Sequence, residues 1–122
     1  MPNQPIPVAE AQEMIKTYTA YMQKLGVDMQ KQTQSVSFKL PELMAWLTKM
    51  TELADEIRIC MGDYPAGHPE AGRTTVILWP YKNGQPAQYS TKPNPGDGGT
   101  ECDDDDDDCE EVDPYNQGQL YP

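Results

Sequence analysis

Two stretches, Ile57-Arg-Ile-Cys-Met61 and Arg73-Thr-Thr-Val-Ile-Leu-Trp79, flank the loop Gly62-Asp-Tyr-Pro-Ala-Gly-His-Pro-Glu-Ala-Gly72, and their reading decides the fold. The first alternates apolar and polar side chains, the period of a half-buried strand. The second is apolar on both faces and rich in β-branched residues, and Pro80 bounds it. The loop is built from Gly and Pro, which interrupt regular structure. Two strands joined in this way are expected to pair antiparallel. Outward towards the C-terminus, Lys82-Asn-Gly84 is a turn signal. Gln85 to Tyr89 returns as an edge segment, weakened by Pro86.

Outward in the other direction, Pro41 opens a helix whose inward face is Leu43, Met44, Leu47 and Met50, with Trp46 at its margin. Before it, Val36, Phe38 and Leu40 alternate with Ser35, Ser37 and Lys39 as a short strand. The first helix is the clearest local signal. Val8, Ala11, Ile15, Tyr18, Met22 and Leu25 recur at steps of three and four, which places them on one helical face, and Met14 and Tyr21 widen it. Pro7 suits the first turn and Gly26 suits a left-handed stop. The expectation is that this stripe packs on a core.

The order helix-strand-helix-strand-strand predicts an α+β fold with two helices on one face of a small three-stranded mixed sheet. The strand–helix–strand unit is expected to form a right-handed parallel crossover. The last strand, apolar on both sides, is expected to lie between the other two. Val36, Phe38, Leu40, Ile57, Ile59, Met61, Val76 and Leu78 would then form the core face. Ser37, Lys39, Arg58, Cys60, Thr75, Ile77 and Trp79 would form a mixed outer face with an apolar spot at Ile77 and Trp79. The domain is expected to span 6–89, and 90–122 to be a flexible tail rich in Pro, Gly and acidic residues.

A chain of 122 residues is enough for one domain with a modest core. The net charge of −11 is unevenly distributed. Eleven of the twenty acidic residues fall between Asp97 and Asp113, while all nine Lys and Arg lie before that stretch. The domain is thus nearly neutral and the tail carries the excess. Nothing basic is clustered, which argues against binding a phosphate backbone. The N-terminus has no cationic segment followed by an apolar run, and the longest apolar runs are too short to span a bilayer. A cytoplasmic protein is therefore expected, with no nucleic-acid or membrane partner. In that compartment its three cysteines should be reduced.

The residues that invite chemistry each have a plainer reading. Asp103 to Asp108 suggest a cation site, with Asp103, Asp105 and Asp107 as the candidate ligands. From Asp103, however, position six is Asp108 and position twelve is Pro114, which is not a calcium loop. A run of like charges is expected to stay extended and hold cations diffusely. Cys102 and Cys109 bracket the run and would close a small ring if oxidised, while Cys60 reads as a small apolar strand residue. His68, the only histidine, sits in the 62–72 loop with Asp63 and Glu70, and these three are the weak acid–base candidates. No phosphate-binding loop, dinucleotide fingerprint or zinc-protease motif accompanies them. No cofactor is expected.

Ile77 and Trp79 on the outer sheet face, with Tyr115, Leu120 and Tyr121 near the C-terminus, are apolar groups without an assigned cover. Trp and Tyr are favoured interface anchors. Two readings stay open for them: a surface for a protein partner, or a surface covered by the tail end or by a second copy of the chain.

The segments Pro7-Val-Ala-Glu-Ala-Gln-Glu-Met-Ile15, Ser37-Phe-Lys-Leu-Pro-Glu-Leu43, Ile57-Arg-Ile-Cys-Met-Gly62 and Thr75-Val-Ile-Leu-Trp-Pro80 resemble a family of small bacterial proteins of the Bacteroidota type, over residues 6–84. That family has no assigned activity, so the resemblance implies one small domain and transfers no site residue. The function expected from the sequence is a non-enzymatic protein–protein interaction module with an acidic tail. The alternatives are a small enzyme or ligand binder using the 62–72 loop, and weak divalent-cation binding by the aspartate run.

Overall fold

A computed structural model of the chain describes residues 4–90, 109–116 and 118–121. The elements in order are α1 (Val8–Lys24), β1 (Ser35–Ser37), α2 (Leu40–Met50), β2 (Glu56–Asp63), β3 (Thr74–Lys82), β4 (Gln85–Pro86), β5 (Gln88–Ser90), β6 (Cys109–Glu111) and β7 (Gln119–Tyr121). The class is α+β, with two helices and antiparallel strands gathered into small sheets. Asp103, Asp105, Asp107 and Cys102 lie outside the described residues.

The dominant unit is the β2–β3 hairpin, paired from Glu56↔Tyr81 through Asp63↔Thr74. At the far end of β3 the chain reverses through Asn83 and Gly84, both at positive φ (52° and 79°). Two such residues match the right-handed twist of the flanking strands, which is why Asn-Gly serves there. β3 is central, but its neighbours are β2 and β4. Both of its edges are taken by segments near in sequence, together with the Leu78↔Tyr115 bridge. No edge is left for β1, which pairs with β7 instead. The expected parallel crossover is therefore replaced, and every pairing among the described strands is antiparallel.

Pro80 explains part of this rearrangement. It is the largest fully buried side chain among the described residues, and its carbonyl accepts the Ala87 N–H at 2.9 Å. Having no N–H, it cannot return a bond to the Ala87 carbonyl. That carbonyl accepts from Val112 N–H at 3.0 Å, so a segment far along the chain completes the ladder.

The core gathers Met50, Leu53, Ala87 and Val112, with Trp46, Ala54, Ile57 and Tyr89 packed around them. Val112 (8% exposed) comes from the region expected to be a flexible tail. Residues 109–116 and 118–121 instead return to the domain through β6, the Tyr115 bridge and β7. The core face expected from alternation also needs correction. Ile59 (67%) and Met61 (68%) are exposed on the edge strand β2, of which Ile57 packs against the core, and Leu40 is exposed at the start of α2 rather than inside a strand.

The second correction concerns α1. It has the expected bounds, and Gly26 follows it at φ 89°, but none of its residues is buried. The expectation that both helices pack on one sheet face does not hold for it. The link after α1 is fixed by polar contacts instead. The Gln32 side-chain carbonyl accepts from Thr33 N–H at 2.9 Å and from Thr74 N–H at 2.8 Å, tying the link to the first residue of β3.

Candidate functional site

The 62–72 loop is ordered by its own backbone. Tyr64 N–H donates to Arg73 C=O, and Gly72 N–H donates to Tyr64 C=O, both at 3.1 Å. His68 stacks on Tyr64 with ring centroids 4.1 Å apart, and its Nδ1 accepts the Glu70 N–H at 3.0 Å. Glu70 itself pairs with Arg73 at 2.7 Å, and Asp63 accepts from Thr74 Oγ1 at 3.0 Å. Each of the three acid–base candidates is thus engaged in holding the hairpin, and neither carboxylate bonds to the imidazole. Arg73 Nε and Nη2 and Trp79 Nε1 are buried donors without a partner among the described residues. No group of His, Cys, Asp and Glu able to hold a metal occurs among the described residues.

The sheet-face and C-terminal aromatics divide into three situations. Ile77 and Trp79 are half-buried. Ile77 lies over Gly62, where a Cβ would meet its Cδ1 at 3.2 Å. Beside them, Arg58 sits 3.9 Å from the centre of the Tyr81 ring and pairs with Glu56 at 2.8 Å, which holds the guanidinium proton above its already high range. Tyr115 is half-buried, its ring 5.1 Å from Trp46 and 5.6 Å from Phe38. Tyr121 is exposed, at the end of the β1–β7 ladder opposite Ser35.

Between α2 and the returning C-terminal segment lies a groove of about 540 Å³ that sequence inspection did not anticipate. Met50, Leu53 and Val112 form its apolar floor, Trp46 and Tyr89 its walls, and Lys49 and Asp113 its rim. Its absence from the sequence reading is physical, since Val112 and Asp113 join it only through long-range strand pairing. Tyr89 donates to Glu110 at 3.0 Å across the β5–β6 pair. That hydrogen bond, followed by the carboxylate's charge and by desolvation, raises the phenol above its ordinary pKa.

The largest apolar display belongs to α1. Val8, Met14, Ile15, Tyr18, Tyr21 and Leu25 are all exposed, and Ile15 retains 65% of its accessible surface. Only Ala11, Thr19 and Met22 are half-buried on this helix. Met14, Ile15, Tyr18 and Thr19 line one side of a groove of about 210 Å³, opposite Met29 and Gln34. The stripe read from the sequence is real, but the expected core is not what covers it.

Of the cysteines, Cys60 is a half-buried free thiol, whereas Cys109 is disulfide-bonded, contrary to the expectation of reduced cysteines throughout; its partner lies outside the described residues. No helix among the described residues is long and apolar enough to cross a membrane.

The fold and its surfaces define a small α+β protein whose most prominent exposed feature is an amphipathic helix. Comparison with protein-family models, with curated proteins and with solved structures returns no match in any of the three.

Proposed function

We propose that this protein is a non-catalytic interaction module whose docking element is α1. The observation that carries the reading is the row of six exposed large apolar side chains, five on the 17-residue helix and the sixth, Leu25, at its C-cap. Contiguous apolar surface of this kind costs solubility unless a partner covers it. Tyr18 and Tyr21 supply the rigid amphipathic contacts that interfaces favour. The engagement of His68, Asp63 and Glu70 in structural bonds supports a binding role over an enzymatic one. The near-neutral domain, with no basic cluster, supports a protein partner rather than nucleic acid.

The test places a photo-crosslinking amino acid at position 21 of the full chain in cells, with position 66 in the hairpin loop as the control. Protein adducts are expected at 21 and not at 66. Free chain at both positions would overturn the assignment.

A second reading, small-ligand binding, attaches to the groove walled by Trp46 and Tyr89 rather than to the 62–72 loop. Its support is the combination of an apolar floor with Lys49 and Asp113 at the rim, neither of which is paired among the described residues. Pockets of this size and composition hold small molecules.

A further inference from the structure

We infer that the partner of α1 is a second copy of the same helix, and that two chains pair antiparallel along it. The inference rests on the reading of α1 as a docking element and names its occupant.

The spacing of the stripe is the first support. Val8, Ala11, Ile15, Tyr18, Met22 and Leu25 are separated by three, four, three, four and three residues, a sequence of steps that is the same in both directions. A two-fold axis crossing the helix between residues 16 and 17 therefore sets Val8 against Leu25, Ala11 against Met22 and Ile15 against Tyr18. Each contact occurs twice, as a closed two-fold interface requires. The alternating steps are those of a helix-pairing seam, with Met14 and Tyr21 widening it along one flank.

Side-chain size separates the antiparallel arrangement from the parallel one. In the antiparallel pair, small Ala11 meets long Met22, and branched Ile15 meets the flat ring of Tyr18, which fills the seam evenly. A parallel pair would stack Ala11 on Ala11 and leave a gap, while crowding Tyr18 against Tyr18. The helix dipoles agree with size, since an antiparallel pair opposes them and a parallel pair aligns them.

The area is adequate. The six exposed side chains offer on the order of 700 Å² per copy, against roughly 800 Å² per partner in a standard interface. A bilayer surface is a poorer occupant, because the two lysines of α1 are balanced by its two glutamates and leave no cationic face.

The test uses the purified full chain in sedimentation equilibrium across the micromolar range. A monomer–dimer equilibrium is expected, with Ile15→Glu weakening association by at least about 100-fold, since it places a charge in the seam. Circular dichroism should show that the variant keeps its fold, because Ile15 is exposed in the single chain. Tyr18→Lys repeats the measurement from the facing position. Orientation is read in a Cys60→Ser background. Under mild oxidation, a mixture of Val8→Cys and Leu25→Cys chains should form crosslinked dimers, and neither chain alone should do so. A chain monomeric throughout the range, a dimer indifferent to both charge substitutions, or crosslinking of Val8→Cys with itself would each overturn the inference. A purified monomer that still gives position-21 adducts in cells would remove the self-pairing and leave α1 as a docking element.

Discussion

α1 and α2 carry similar apolar stripes and meet different fates. On α2, Met50 is 4% exposed, and Trp46 packs between the core and the Tyr115 ring. On α1, no residue is buried. α2 is the more apolar helix, but its surroundings differ as well. α2 leads directly into the β2–β3 hairpin through Leu53 and Ala54, and a returning segment from the far end of the chain roofs it with Val112. α1 is followed by a polar link, and that link faces its stripe through Met29 and Gln34 across an open groove, without burying any residue of the helix. An amphipathic stripe states that a face needs cover. What supplies the cover depends on which other surfaces the chain can bring there.

The sharpest way to break this comparison is to remove the roof. Val112→Asp places an unpaired carboxylate over Met50 and Leu53 and should cost roughly 4 kcal/mol in urea unfolding. A loss below about 1 kcal/mol would mean that the returning segment contributes little to the core. Next in size, Met50→Ala should destabilise by about 3 kcal/mol through lost burial and the cavity left behind. Ile15→Ala, measured at high dilution, should change stability by less than about 0.5 kcal/mol. Similar losses from the two substitutions would erase the distinction between the helices.

A fourth substitution tests the end of the same returning segment. At Gly118 a Cβ would overlap Val36 Cγ1 and lie 3.0 Å from the Phe38 ring. Gly118→Ala should force β1 and β7 apart and cost about 1–3 kcal/mol. Hydrogen exchange at the Gln34 amide, which donates to Tyr121 C=O at 2.6 Å, should rise more than exchange within β3.

The smallest effect concerns the β5–β6 seam. The Tyr89 pKa is raised by its bond to Glu110, so the folded state holds that proton more firmly than the unfolded chain, whose value is near 10. The resulting contribution is complete below the unfolded pKa and is lost as pH rises through the higher folded one. The phenolate absorbance assigned to Tyr89, by difference from Tyr89→Phe, should titrate at lower pH in Glu110→Gln. An unchanged midpoint would show that the pair does not form.

What could be read from residues alone was what local chemistry determines. The α1 stripe with its Gly26 stop, the two strands of the hairpin and the Asn83-Gly84 reversal all fall where periodicity and turn preference place them. The partner of each surface could not be read in this way. β1 and β7 are three residues each, joined across some eighty positions, and neither has a distinctive pattern. Val112 stands among acidic residues, so composition assigns it to solvent, yet its backbone completes a bond that Pro80 leaves open. The candidate site suffered in the same manner. His68 stood out by rarity, but its ring holds a turn. The Trp46 groove, built partly from that acidic stretch, was invisible.

The β1–β7 ladder has a consequence for how the protein is made. Ser35 finds its partner only when Tyr121 has been synthesised, so a chain growing on the ribosome reaches this point with β1 unpaired and the α2 face unroofed. Domains synthesised at 5–20 residues per second leave such surfaces uncovered for several seconds. The β2–β3 hairpin can close early, since its strands are adjacent in sequence, but α1, β1 and α2 must all wait outside the tunnel. The nascent chain is therefore at its stickiest just before β7 emerges, and a translational pause after residue 90 should lengthen the window in which it depends on chaperones.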